Sequence, residues 1–165
     1  MPAAFPGIAQ VDELPILLEQ VIPPEWQDLN GHVNVRHYLE LYDAASWPRL
    51  AEFGLDARAF VEQRQGLFDL EHHLWYLAEM HVGDTVTVHW RFLARTAKRF
   101  HGVMFIVNRT RARLASVFEY LSTGANLDTR RTAPLPPGFA GRLDTLIAEH
   151  ARLAWPAPTC GVLAP

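Results

Sequence analysis

The segment Pro24–Asp43 reads PEWQDLNGHVNVRHYLELYD, and its two halves follow different rules. The first half crowds an aspartate, amides, a histidine and a glycine into ten residues, the composition of a tight turn. From Val35 onward Tyr38, Leu39, Tyr42, Ala45, Leu50 and Phe53 recur at near-helical spacing, while Arg36, Glu40, Asp43, Ser46, Arg49 and Glu52 fall largely between them. The pattern predicts an amphipathic helix capped by Asn34, closed by Gly54 at its C′ position, and kinked or split in its last turns by Pro48.

On the N-terminal side, ILLEQVI (16–22) predicts a strand stopped by Pro23 and Pro24, which cannot donate to a central ladder. On the C-terminal side a short helical or irregular piece, DARAFVEQRQ, is followed by four strand-like runs separated by turn signals: GLFDLEHHLWYLAEM, TVTVHWRFLA, KRFHGVMFIV and LASVFEYLSTGANL. Their order predicts a long antiparallel meander that joins the first strand in a five-stranded sheet. After RRTAPLPPG, Phe139, Leu143, Leu146, Ile147 and His150 mark a short C-terminal helix, followed by a Pro-rich tail.

A helix of about 19 residues is about 28 Å long, close to a strand of about nine residues, so one helix lies along one face of such a sheet. It cannot cover five strands completely. The uncovered apolar surface implies a partner subunit, a homodimer or homotetramer.

The 165 residues fit a single α+β domain over 1–165, with a core at about 16–130 and the helix and tail at 131–165. A formal charge of −3 with 49% apolar residues argues against disorder and against nucleic-acid binding. No run approaches a membrane span, and MPAAFPGIAQVDELP lacks the basic and apolar regions of a secretory leader, so a cytoplasmic, membrane-free protein is expected. Cys160 is the only cysteine, which excludes an intramolecular disulfide and a multi-cysteine metal site. Adjacent His72 and His73 point to opposite faces of a strand, and His32 and His37 miss the i, i+4 spacing of a helical zinc pair, so no catalytic metal is expected.

The stretch WQDLNGHVNVRHY, with YLAEMHVGDTV about forty residues on, resembles the hotdog-fold acyl-CoA thioesterases of the 4-hydroxybenzoyl-CoA thioesterase-like group. DLNGHVN, FDLEHHLWYLAEMHVGD, AKRFH and DTRRTAPLPPG look most like the thioesterases of carnitine and betaine breakdown, proposed to act on betainyl-CoA. The resemblance implies a hotdog fold, in which the sheet wraps one long central helix. It also implies hydrolysis of a short-chain acyl-CoA with no cofactor, since coenzyme A is part of the substrate. By the resemblance Asp28 is the nucleophile or general base, the amide of Val35 polarises the thioester carbonyl, Gly31 is the loop glycine and Tyr38 the helix tyrosine.

Asn30 and His32 are candidates to orient a water, the aspartate or the carbonyl. The competing structural reading makes Asp28 an Asx-turn residue, Asn30-Gly31 a turn dipeptide and Asn34 a cap. Strand alternation sets Glu71, His73 and Trp75 on one face and His72, Leu74 and Tyr76 on the other. Glu71 or His73 is a candidate to complete the partner's site. Arg99, Arg109 and Arg111, at turns, are candidates for the phosphates of coenzyme A. Trp47, Trp75, Tyr76 and Trp90 are candidate walls of an acyl pocket, where aromatic faces suit a quaternary ammonium. A hydratase or dehydratase on the same fold, and a non-catalytic acyl-CoA-binding protein, are the alternative readings.

Overall fold

Residues 4–165 are described by a computed structural model of the chain. A one-turn helix α1 (Ile8–Val11) precedes β1 (Ile16–Val21), and the long helix α2 (Arg36–Glu52) follows after a 3₁₀ turn at Pro24–Trp26. Then come α3 (Ala57–Val61), β2 (Gln65–Tyr76), β3 (Thr85–Arg95), β4 (Arg99–Asn108), β5 (Arg113–Asn126), the two-residue β6 (Arg131–Thr132) and α4 (Pro137–His150).

The sheet is antiparallel with the order β1-β3-β4-β5-β2, and β6 is added on β5. The expected five-stranded sheet therefore gains a sixth short strand. Its pairs, Ala125↔Thr132 and Asn126↔Arg131, form across a turn in which Arg130 takes φ 58°, and Pro134 follows closely. Strands β3, β4 and β5 form the expected meander, but β2 pairs with β5 rather than with β3. The β2–β3 connection is not a hairpin because residues 77–84 turn tightly only at 81–84, where Asp84 N–H donates to His81 O at 3.0 Å. They cross the end of the sheet, with Met80 buried and Leu77 N–H donating to Ala115 O at 2.9 Å.

Alternation assigns the two faces. Val86, Val88, Trp90 and Phe92 of β3 point to the inner face, against Tyr38, Leu41, Tyr42, Ala45 and Leu50 of α2 and against Phe139 and Leu143 of α4. Each such ring or aliphatic side chain removed from water contributes roughly 1.5–3 kcal/mol, so this layer fixes where α2 lies. The helix is not split at Pro48, which lies on its exposed side. On the outer face Val103, Phe105, Val107 and Val117 are covered by Val11 and Leu14 from the N-terminal segment and by Trp155 from the tail. Arg91 lies over the Trp155 ring at 4.2 Å.

Candidate active site

The polar half of the opening segment folds back on itself. Gln27 and Val33 form an isolated antiparallel bridge, and Asn34 N–H donates to Trp26 O at 2.8 Å. Between them Asp28 N–H donates to His32 O at 2.9 Å and Gly31 N–H to Asp28 O at 3.1 Å. Gly31 has φ 85°, a backbone state that glycine reaches without steric cost. The loop is pinned to residues 78–81: Val33 N–H donates to Met80 O at 2.8 Å, Tyr38 OH to Ala78 O at 3.2 Å, and His81 Nδ1 to Gly31 O at 3.3 Å. Trp26 stacks flat on His37 at 4.5 Å, and His37 Nδ1 donates to Glu40 at 2.6 Å, which fixes the loop to the first turn of α2.

That scaffold brings Asp28, Asn30, His32, Val35 and Tyr38 around one cavity of about 510 Å³, closed on the other side by Tyr76 and by residues 77–79. The Asp28 carboxylate accepts from Asn30 N–H at 2.8 Å and from Asn30 Nδ2 at 3.3 Å, and His32 Nδ1 lies 3.8 Å away. Partial desolvation is the largest single influence and raises the Asp28 pKa, but the Asn30 hydrogen bonds and the His32 ring together hold it below the ordinary value. The carboxylate is thus ionised at neutral pH. Asp28 is an Asx-turn residue and at the same time presents a charge to the cavity, so the two sequence readings are compatible.

Val35 stands at the mouth of α2 with φ −51° and ψ −34°, and Asn34 Oδ1 accepts from Arg36 N–H at 3.2 Å. The carbonyls of Asn34 and Val35 take the next amides, those of His37 and Tyr38. Among the described residues the Val35 N–H itself has no hydrogen-bond partner. A free amide at the positive end of a 17-residue helix, in the same cavity as a carboxylate, is a donor suited to a developing oxyanion.

The other sequence candidates lie elsewhere in this chain. The Glu71, His73 and Trp75 side chains are on the outer face, where His73 packs on Trp75 at 4.1 Å and Trp75 joins the outer apolar cluster. Arg99 is exposed at the start of β4. Arg109 is tied to Asp12 at 2.6 Å and to Thr87 at 2.8 Å, and Arg111 Nε lies 2.7 Å from the buried Asp84. Asp84 also accepts from Asn108 and from His81 N–H, so Arg111 braces the turn that touches the Asp28 loop. Both arginines thus sit in ion pairs within the chain.

A second cavity, of about 520 Å³, lies between α2 and the inner face of the sheet. Trp47 and Trp90 line it, as do Asp69 and His72 of β2. Strict alternation would put Asp69 on the outer face with Glu71. A bulge breaks the β2–β5 register between Asp69 and Glu71, so Asp69 opposite Ser122 and His72 opposite Tyr120 both face inward. Asp69 bonds His72 at 3.1 Å and accepts from Ser122 Oγ. Desolvation raises the Asp69 pKa most, and these two bonds outweigh it and keep the carboxyl below its ordinary value.

Residues 22–143 match the family model of the thioesterase-like superfamily. The betainyl-CoA thioesterase of Pseudomonas aeruginosa is 30% identical over 138 residues, 84% of this chain and 87% of that protein. The L-carnitine dehydrogenase/betainyl-CoA thioesterase of Rhizobium meliloti is 24% identical over 140 residues, and the match spans 85% of this chain but 28% of that longer protein. Among solved structures, a Staphylococcus aureus protein in complex with CoA superposes with a TM-score of 0.79 at 25% identity, covering 87% of this chain and 90% of that one. The 1,4-dihydroxy-2-naphthoyl-CoA thioesterase of Synechocystis shares the fold with a TM-score of 0.69 at 20% identity, over 83% of this chain and 98% of that one.

Proposed function

This chain belongs to the thioesterase-like superfamily and is a thioester hydrolase, and from that premise we propose that the Asp28 cavity hydrolyses a short-chain acyl-CoA, with betainyl-CoA as the substrate. The observation that carries the site is that Val35, whose N–H is unpartnered among the described residues, lines the same cavity as the ionised Asp28. In the proposed reaction Asp28 attacks the carbonyl carbon or takes a proton from the attacking water, and the carbonyl oxygen collects its charge against the Val35 N–H. Where water attacks, the C–S bond breaks, the new C–O bond remains in the acid, and the proton taken by Asp28 passes to the coenzyme A sulfur. Where Asp28 attacks, the thiolate leaves and a water then hydrolyses the mixed anhydride, which releases the acid, restores the Asp28 carboxylate and supplies the proton to the sulfur.

Asn30 holds the carboxylate by two bonds and His32 adds a nearby ring, while Gly31 and Tyr38 keep loop and helix in register. No cofactor enters the proposed chemistry, and coenzyme A comes and goes as the carrier of the acyl group. The S. aureus neighbour characterised with CoA supports a coenzyme A thioester as the bound form. Such a substrate and the lone cysteine fit the cytoplasmic placement expected from the sequence.

The proposed assembly is a homodimer formed along β2. This 12-residue strand pairs with β5 on one side only, and Phe68, Leu70 and Tyr76 on it are exposed. An edge that long and apolar is a pairing surface. The outer face of β4 and β5 is covered by the chain's own ends, so most of the sheet's exposed large apolar side chains lie along β2. Size-exclusion chromatography with light scattering reads the assembly.

The function is tested by incubating the protein with betainyl-, acetyl-, branched short-chain and hydroxybenzoyl-CoA and following free thiol together with the acyl product. Thiol release favouring betainyl-CoA is expected. An acyl chain altered by water addition or loss, with no thiol released, would replace hydrolysis by a hydratase or dehydratase reaction.

A further inference from the structure

Among the described residues, Asp28 is one of two carboxylates on its cavity. The other is Glu79, from the segment that crosses the end of the sheet and faces the Asp28 loop. Both neighbours of Glu79 are fixed from the Asp28 side: Ala78 O accepts from Tyr38 OH at 3.2 Å, and Met80 O accepts from Val33 N–H at 2.8 Å. Met80 is fully buried, whereas the Glu79 side chain is 66% exposed and so open to water. The backbone thus holds a solvated carboxylate at the cavity wall.

An imidazole stands beside it. His81 Nε2 lies 3.5 Å from the Glu79 carboxylate, and His81 Nδ1 lies 3.3 Å from Gly31 O. A carbonyl only accepts, so Nδ1 carries the hydrogen and Nε2 of the neutral ring is left as an acceptor. A Glu79 that has gained a proton can therefore turn it toward Nε2, and a charged His81 ring can bond the carboxylate instead. His81 is itself anchored, since its N–H donates to Asp84, which Asn108 and Arg111 hold from the other side.

The two carboxylates are not equivalent. Asp28 accepts from both Asn30 donors and sits below its ordinary pKa, which makes it a charged group but a weak proton acceptor. Among the described residues the Glu79 carboxylate has no polar partner closer than the His81 ring, so its oxygens are available to a water. Attack by Asp28 also creates a need that Asp28 cannot meet. Once it is bonded to the acyl carbon, the water that opens the anhydride must lose a proton, and the carboxylate that attacked is inside the anhydride.

We propose that Glu79 is the second catalytic carboxylate of this cavity, taking the proton from the water that opens an Asp28 mixed anhydride, with His81 as its positioning residue. Glu79's role rests on the thioesterase reading above and selects attack by Asp28 over base catalysis by it. In the first half of the reaction an Asp28 oxygen bonds the acyl carbon, the C–S bond breaks and the thiolate leaves. In the second, the water oxygen bonds the acyl carbon as Glu79 takes one of its protons, the bond to Asp28 breaks, and its electron pair restores the carboxylate. The acid departs, and the proton on Glu79 passes through solvent to the coenzyme A sulfur.

Rapid-quench kinetics on the thioester that the parent cleaves fastest separate the two halves. Glu79→Gln keeps the size of an exposed side chain, so its melt is expected to match the parent's. It is expected to release about one equivalent of thiol per chain at close to the parent's rate and then to turn over about 10²–10³ times more slowly, with the acyl group found by mass on the peptide that carries Asp28. Asp28→Asn is expected to give neither the burst nor the adduct. His81→Gln is expected to slow the steady state several-fold and leave the burst, whereas a fall of both together would make His81 a loop brace and remove it from the proposal.

Glu79→Gln that turns over within about threefold of the parent, or that loses thiol release and turnover in step with no adduct, would overturn the role of Glu79 while leaving hydrolysis by the parent intact. No thiol from the parent on any thioester would remove the thioesterase reading and the role of Glu79 with it.

Discussion

Replacing Val35 by proline deletes one hydrogen atom of interest and little else. The Val35 N–H has no partner among the described residues, so its loss breaks no bond within the fold. Val35 has φ −51°, within the range a proline ring imposes, and it precedes the first residue of α2, where proline is tolerated. The side chain is 55% exposed, so little packing is lost. Fixing φ removes unfolded-chain entropy worth about 0.4–1 kcal/mol, and the net change in stability is expected within about 1 kcal/mol of zero. Removing one oxyanion donor costs about 10²–10³ in kcat, or about 2.7–4 kcal/mol of transition-state stabilisation. The assay is thiol release at saturating acyl-CoA, with a thermal melt for each variant and Val35→Ala as the side-chain control. Val35→Pro that melts like the parent and keeps its full kcat would refute the assignment of this amide.

Three further outcomes follow from the site. The depressed Asp28 pKa keeps the carboxylate charged as pH falls from neutrality, so the acid limb of kcat/KM is expected below the ordinary aspartate value of 3.8, and a limb near pH 6 would assign the essential base elsewhere. Gly31→Ala meets no atom within 4 Å but must adopt φ 85°, so it is expected to cost about 1–2 kcal/mol in denaturant unfolding; no loss would mean that the turn does not need this conformation. Arg111→Ala is expected to lower the melting temperature, because Asp84 loses its guanidinium, and to leave KM for the acyl-CoA nearly unchanged. A large rise in KM with an unchanged melt would return Arg111 to the substrate's phosphates.

Much of this organisation is legible in the chain because it is local. The Pro23-Pro24 stop, the 3.6-residue repeat from Val35 and the β-rich runs after Gln65 each encode their own element. Pairing is not local: nothing in LAEMHVGD announces that it crosses the sheet end and sends β2 to β5. The Asp28 loop is readable because its turn chemistry is local: Asp28 accepts from Asn30 N–H at 2.8 Å and Gly31 takes φ 85° within four residues.

The cavity behind it was hidden by one extra residue, since the bulge that aims Asp69 inward has no signature in an alternation rule. The ion pairs of Arg109 and Arg111 are not legible in sequence because their partners, Asp12 and Asp84, lie 97 and 27 residues away. Trp26 and His37 show the same limit, for their stacking depends on the fold-back at Gln27 and Val33.

The most direct test of the central claim is thiol release from betainyl-CoA by Asp28→Asn beside the parent. The asparagine can still accept from Asn30 N–H, so the loop is retained. The account predicts a turnover loss of about 10²–10⁴ with an unchanged melt. Full turnover by the folded variant would contradict it.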